Sequence, residues 1–188
     1  MCASSYSLNS KQTMTSTFKF CPQCATPLAM VMQLEDGGEK ARLRCPACDY
    51  THWNNPTPVL AAVIEYNGQI LLARNAAWSG RMFALITGFM EAGETPQGGI
   101  AREIKEETNL DTNSLDLIGV YDFQRMNQII IAYHAVCTGN VVLSPELVEY
   151  KLYDYDAIKC WPAGTGYALA DWLKSRGYSP EFVEWKKP

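Results

Sequence analysis

Two unbroken apolar runs stand out along the chain, Val59 to Ile64 and Ile129 to Tyr133, each the length of a buried strand. Val59 to Tyr66 and Gln69 to Ala73 flank Asn67-Gly68, the residue pair favoured by a type I′ hairpin turn. Further strands are expected at Leu117 to Phe123, Gln128 to Cys137 and Val148 to Tyr153. Helical spacing replaces alternation in two places. Ile100, Ile104 and Thr108 form one stripe, and Leu169, Trp172 and Leu173 form another within Gly166 to Arg176, which Gly177 stops. Mixed strands with a helix on each side predict an α/β (α+β) class, an α/β/α sandwich around a mixed sheet. No internal repeats are found.

The first helix carries unusual chemistry. Thr95 suits the N-cap, Pro96 the first helical position, and Asn109 a left-handed C-terminal residue. Within it Glu103, Glu106 and Glu107 stand at i, i+3 and i+4, so they project from one face. Three carboxylates so placed repel one another, and hard divalent cations such as Mg2+ or Mn2+ relieve that repulsion. Gly98 and Gly99 lower helix propensity, which points to close packing or imposed geometry.

The run GFMEAGETPQGGIAREIKEETNL, from Gly88 to Leu110, resembles the Nudix box at every fixed position except Asn109, where Gly is usual. A solvated Glu/Lys-rich helix, the bland alternative, does not require Gly88 and Glu94 so far upstream. The resemblance implies cleavage of a pyrophosphate bond in a nucleoside diphosphate linked to another moiety, X. It also implies that Glu103 and Glu107 are the principal ligands of Mg2+ or Mn2+, that Glu106 supports them, and that a backbone carbonyl of Thr87 or Gly88 completes the shell. Glu94 and Arg102 match the family's bracing ion pair, a task suited to the planar guanidinium fork.

Upstream, Cys21-Pro-Gln-Cys24 and Cys45-Pro-Ala-Cys48 form two CxxC pairs, the spacing of a closed four-thiolate zinc site. Between them, Met30 to Arg44 carries an Asp36-Gly37-Gly38 turn, as a zinc-ribbon hairpin requires. A pair of disulfides is the competing reading, and the lack of a signal peptide weighs against it. His52 follows the last ribbon cysteine and is expected in a loop. A module of this size buries too little apolar surface to fold unaided, so the zinc is structural.

The domain boundaries expected are a disordered leader over 1–17, the ribbon over 18–52 and the hydrolase domain over 53–188, with Asn54 to Pro58 as a stiff connector. The leader lacks a hydrophobic signal core and contains a second Met at position 14. Of 188 residues, 47% are hydrophobic and none of the apolar runs approaches a membrane span, which predicts a cytoplasmic protein with no membrane partner. A net charge of -4 argues against extensive nonspecific nucleic-acid binding, and a capped RNA end stays compatible with it but unindicated. Seven cysteines leave Cys2, Cys137 and Cys160 outside the ribbon as ordinary thiols, with Cys137 expected in the core. His134 reads as a hydrogen-bonded structural histidine before a catalytic base.

Ribbon, connector, ILLARN, ALITGF and the segment Pro145 to Tyr153 together are similar to the zinc-ribbon branch of the Nudix superfamily that includes NADH pyrophosphatases. That branch implies a further metal ligand at Glu149, against which stands a solvated strand-edge residue. It implies ring stacking on Phe89, against which stands core packing. Where the NADH enzymes carry Ser-Gln-Pro-Trp, this chain has Val120 to Asn127, so ADP-ribose, FAD and NAD(H) all remain as substrates, with Tyr121, Phe123 and Arg125 shaping the pocket. The branch is usually dimeric, which admits a homodimer, and Phe182 or Trp185 in the tail would serve an interface. A nucleotide-binding regulator without turnover is the alternative function. Regulators commonly lose box carboxylates, and this chain keeps them all.

Overall fold

Gly37 takes φ of 86° and turns the chain between β1 (Ala29–Glu35) and β2 (Gly38–Arg44), which pair antiparallel from Ala29↔Arg44 to Glu35↔Gly38. The computed structural model describes residues 18–78 and 80–184, so the leader, Cys2 and Trp185 lie outside the described residues. A two-residue strand, β3 (Thr51–His52), adds to β2. His52 therefore sits in a strand rather than a loop, with its ring 4.4 Å from that of Phe18. Glu35 is held by Arg42 at 2.8 Å and Arg44 at 2.5 Å. Met30, Met32 and Leu34 are exposed, and among the described residues up to Asn55 only Cys21 and Cys45 are buried. The described residues of this unit form no apolar core, so its cohesion falls to the cysteines.

The chain divides between Asn55 and Pro56. The second unit opens with β4 (Thr57–Tyr66), so Thr57 and Pro58 belong to a strand and the connector is shorter than its Pro content suggested. Asn67 and Gly68, with φ of 53° and 75°, then turn the chain into β5 (Gln69–Asn75), both residues being left-handed as a type I′ turn demands. After them come β6 (Ile86–Phe89), α1 (Pro96–Thr108), β7 (Asp111–Phe123), a single 3-10 turn at Gln124–Met126, β8 (Gln128–Thr138) and β9 (Leu147–Tyr153). The chain closes with β10 (Lys159–Cys160), α2 (Thr165–Ser175) and β11 (Glu181–Phe182).

The main sheet runs β7-β8-β4-β5-β9, with β6 also on β4. Within this sheet only β4 and β8 are parallel among the described strands. One edge of β4 is shared: β5 pairs with it at Ile64 to Tyr66, and β6 at Val59 to Ala62. β5 and β6 thus take successive stretches of that edge, and Ala73 and Ala84 bridge the two. Side chains of β4 alternate between two cores, as a period of two dictates. Leu60, Ala62 and Ile64 meet Ile100 and Ile104 of α1, whereas Val59, Ala61 and Val63 face Ala168, Leu169 and Trp172 of α2. This is the three-layer arrangement. The short β10–β11 pair, and the first six residues of β7, are additions that local pattern did not announce. Phe182 lies in β11, 6.1 Å from the ring of Tyr167. No described helix is long and apolar enough to cross a membrane.

Candidate functional site

The sulfurs of Cys21, Cys24, Cys45 and Cys48 all lie within 4.8 Å of one another. Cys21 to Cys48 is 3.6 Å, Cys24 to Cys45 3.4 Å and Cys24 to Cys48 3.7 Å. A tetrahedral zinc with bonds of about 2.3 Å separates its sulfurs by about 3.8 Å, so the cluster fits that ion. The Gln23 and Ala47 amides each donate to the Sγ two residues earlier at 3.4 Å, the backbone curl that points both sulfurs of a CxxC pair at one centre. Hydrogen bonds with Thr26, side chain first and backbone second, pull the exposed Cys24 thiol down to about 6. All six described cysteines are unpaired. His52 is not in the cluster.

In the second unit α1 begins and ends on its caps. Thr95 Oγ1 accepts from the Gly98 amide at 3.1 Å, and Asn109, with φ of 61°, donates its amide to the Lys105 carbonyl. Ile100, Ile104 and Thr108 are buried, and this fixes which face is left for the carboxylates. Gly88 and Gly99 mark close approaches: a Cβ on Gly88 would overlap the Glu103 carboxyl, and one on Gly99 would overlap Glu94 and Leu60. The Glu94 carboxylate accepts from Arg102 at 3.1 and 3.2 Å and from the Glu91 amide at 2.7 Å. Those bonds, Arg102 first, hold its carboxyl below the usual range. Arg102 also donates to Glu103 at 2.9 Å, Glu106 at 3.0 Å and the Phe89 carbonyl at 3.4 Å. The guanidinium thus ties the loop before α1 to the helix.

A cleft of about 490 Å³ lies over this face, lined by Thr87, Gly88, Phe89, Glu91, Arg102, Glu103, Glu106, Glu107 and Glu146, with Val59 and Gln128 at its side. Burial, then the charges of Glu103, Glu146 and Glu106, push the Glu107 carboxyl up to about 7. Burial also raises Glu103, against the opposing pull of Arg102. Carboxylates gathered and desolvated in this way favour a bound hard cation, whose charge restores their ionised form.

Glu149 is not in the cleft. It stands opposite Arg74 in the β5–β9 register, two positions from Lys151 opposite Leu72, and Leu72 packs in the α2-side core. Strand alternation therefore sends Glu149 to the face away from α1. There Arg74 lies at 3.5 Å and Lys151 at 3.8 Å from its oxygens. Glu146, three residues earlier, takes the place beside Glu107. The Ser144 amide donates to the Glu107 carbonyl at 3.0 Å and the Val142 amide to the Thr108 carbonyl at 2.9 Å, so the loop bearing Glu146 hangs from the end of α1.

Phe89 is exposed on the cleft wall rather than packed in a core. Phe123 and Arg125 line a neighbouring cavity of about 310 Å³ together with Trp78, Met82, Met126 and Trp161. Of these the sequence reading named only Phe123 and Arg125. Trp78 and Met82 come from the segment between β5 and β6 and Trp161 from a loop some eighty residues later, and their one local signal is bulky apolar side chains in Gly- and Pro-bearing segments. The Arg125 guanidinium lies 5.6 Å from the Phe123 ring centre. Tyr121 does not reach the cavity, and its hydroxyl donates to Asp171 of α2 at 3.1 Å. His134, buried away from the cleft, bonds Glu65 through Nε2 at 2.9 Å and stacks near Trp172 at 5.0 Å. Cys137 and Cys160 are buried, and burial raises each thiol to about 11.

Comparison with known proteins matches this architecture in two pieces. The family model for the Nudix N-terminal zinc ribbon covers residues 19–54, and the NUDIX domain model covers residues 55–173. The NAD-capped RNA hydrolase NudC of Stutzerimonas stutzeri (strain A1501) is 26% identical over 176 residues, spanning 91% of this chain and 62% of its own. NudC of Vibrio vulnificus (strain CMCP6) is 29% identical, over 89% of this chain and 55% of its own. The chain thus spans less than two thirds of the length of these curated relatives. Among solved structures, a NUDIX hydrolase from Nitrosomonas europaea superposes with a TM-score of 0.72 at 27% identity, over 88% of this chain and 97% of that one. The domain matches, with the box helix and its acidic cleft, place this chain in the Nudix hydrolase family, with the family's N-terminal zinc ribbon ahead of the NUDIX domain.

Proposed function

We propose that the protein hydrolyses the pyrophosphate bond of a nucleoside diphosphate linked to X, of the ADP-ribose, FAD or NAD(H) type, releasing a nucleoside monophosphate in a reaction that depends on Mg2+ or Mn2+. The observation that carries this reading is the cleft in which Glu103, Glu106, Glu107 and Glu146 converge beside the Gly88 backbone. The relatives named as NAD-capped RNA hydrolases support an NAD-related substrate. Glu103 and Glu107 hold the cation with Glu106 and Glu146, and a carbonyl of Thr87 or Gly88 adds a neutral oxygen. When bound, such a cation offsets phosphate charge and lowers the pKa of an attacking water.

The chain's own groups do the rest. Glu94 and Arg102 fix the loop against α1, so that the Gly88 backbone stays close to Glu103. The missing Cβ at Gly88 leaves the Glu103 carboxylate its place. Phe89 offers a flat face to a substrate ring at the cleft wall. In the ribbon Cys21, Cys24, Cys45 and Cys48 hold zinc as a structural ion. Glu107→Gln tests the assignment. It is expected to keep zinc and secondary structure while Mg2+-dependent turnover falls by about a hundredfold or more, the scale of losing one transition-state charge partner. Full activity in that variant would reject the acidic site, and binding of nucleotide without turnover in the unmutated chain would favour a regulator.

A further inference from the structure

The acidic cleft has a neighbour of opposite character. The 310 Å³ cavity is walled by Trp78, Met82, Phe123, Met126 and Trp161, with Arg125 also in its lining beside Phe123, and it shares Val59, Thr87 and Gln128 with the cleft, so the two are continuous across those three residues. Phe89 lies in the cleft and not in this cavity, which leaves two separate flat surfaces on one continuous site. The walls are built rather than incidental. Both ends of the segment bearing Trp78 and Met82 are tied, the Ala76 amide to the Glu146 carbonyl at 2.8 Å, and Ala73 and Ala84 to each other in both directions at 2.9 Å. Trp161 is buried and presents the inner wall.

Resting on the reading given under Proposed function, we propose that this cavity receives a planar, electron-poor ring carried by X, and that Trp78, Met82 and Trp161 make the site select ring-bearing X over a plain sugar. Indole faces and thioethers attract electron-poor rings through their electron-rich surfaces, and a planar ring covers those surfaces more fully than the C–H face of a sugar does. The polar side chains Thr87 and Gln128 sit at the boundary with the cleft, where the ribose and phosphates of such a substrate would pass. The pyrophosphate then lies over the carboxylates, one ring against Phe89 and the other in the cavity.

The test compares Trp78→Ala, Trp78→Phe and Met82→Ala in the full chain. Oxidised NAD and ADP-ribose are the substrates with Mg2+, and nicotinamide mononucleotide and ribose 5-phosphate are the ligands in calorimetric titration. The kcat/KM ratio of NAD to ADP-ribose is expected to fall about tenfold in Trp78→Ala, by the usual worth of one stacked ring, and to recover in Trp78→Phe. Nicotinamide mononucleotide binding should weaken in parallel while ribose 5-phosphate binding does not. An unchanged ratio, equal weakening of both ligands, or no binding of nicotinamide mononucleotide to the unmutated chain would overturn the proposal. Should the unmutated chain cleave neither substrate, the hydrolase substrate class fails. The titrations then decide the cavity alone, loss in Trp78→Ala with recovery in Trp78→Phe upholding it. Met82→Ala, a second wall residue, must lower the ratio in the same direction; if it raises the ratio or leaves it unchanged, the cavity is not the selecting element.

Discussion

Glu146 and Glu149 are three residues apart, and their surroundings differ in charge: one lies among carboxylates, the other beside cations. The charge of Glu146 acts on Glu107, whose carboxyl it helps to raise, whereas Glu149 is matched by Arg74 and Lys151 on the other face of the sheet. Glu146→Gln is therefore expected to lower Mg2+-dependent kcat by about tenfold or more and to raise the cation concentration needed for half-maximal rate, since a charged ligand becomes neutral. Glu149→Gln should leave both within about twofold, because exposed ion pairs of this kind contribute only ~1 kcal/mol or less. Cation titrations of turnover, with Mn2+ binding followed by electron paramagnetic resonance, separate the two. A larger loss in Glu149→Gln would return the ligand to the position suggested by family resemblance. The sequence alone did not distinguish them, because facing depends on the β5–β9 register and on its shift between Arg74 and Asn75. That register is set by a partner strand more than seventy residues upstream.

Elements whose signals are local were legible before any coordinates. Thr95, Pro96 and Asn109 bound α1 because caps are chemistry of two or three adjacent residues, and Asn67-Gly68 fixed its hairpin for the same reason. Thr95→Ala removes the acceptor for the Gly98 amide at the start of the helix that carries the carboxylates. The expected cost is about 1 kcal/mol, the usual worth of such a cap, read as a lower urea midpoint with an unchanged slope. A slope change instead would mean that the cap also shapes the unfolded ensemble. Strand pairing is less local, and there the sequence was less legible. The polar start of β7 becomes a strand only because β8 lies beside it, and β3, β10 and β11 are two-residue pairings that no periodicity can show. The wall of Trp78, Met82 and Trp161 was hidden in the same way, since topology and not spacing brings it beside Phe123.

At the scale of the whole chain, two units rely on different sources of cohesion. The second buries two apolar cores on the faces of its sheet, around Leu60, Ile64 and Ile104 on one side and Val63, Leu169 and Trp172 on the other. The first buries only two cysteines among its described residues, so the free energy of its fold is in large part that of metal binding. Displacing the metal with a thiol-reactive mercurial, in the presence of a zinc indicator, is expected to release one zinc per chain. Amide hydrogen exchange should then lose protection across Ala29 to Arg44 while Leu60 to Ile64 and Ile130 to Ala135 stay protected. Local opening follows local cohesion, and the apolar cores owe nothing to the thiolates. Retained protection in the hairpin after release would show that the ribbon folds without its ion. Protection lost in β4 and β8 as well would show that the two units unfold as one, with the cysteine cluster governing the stability of the NUDIX domain.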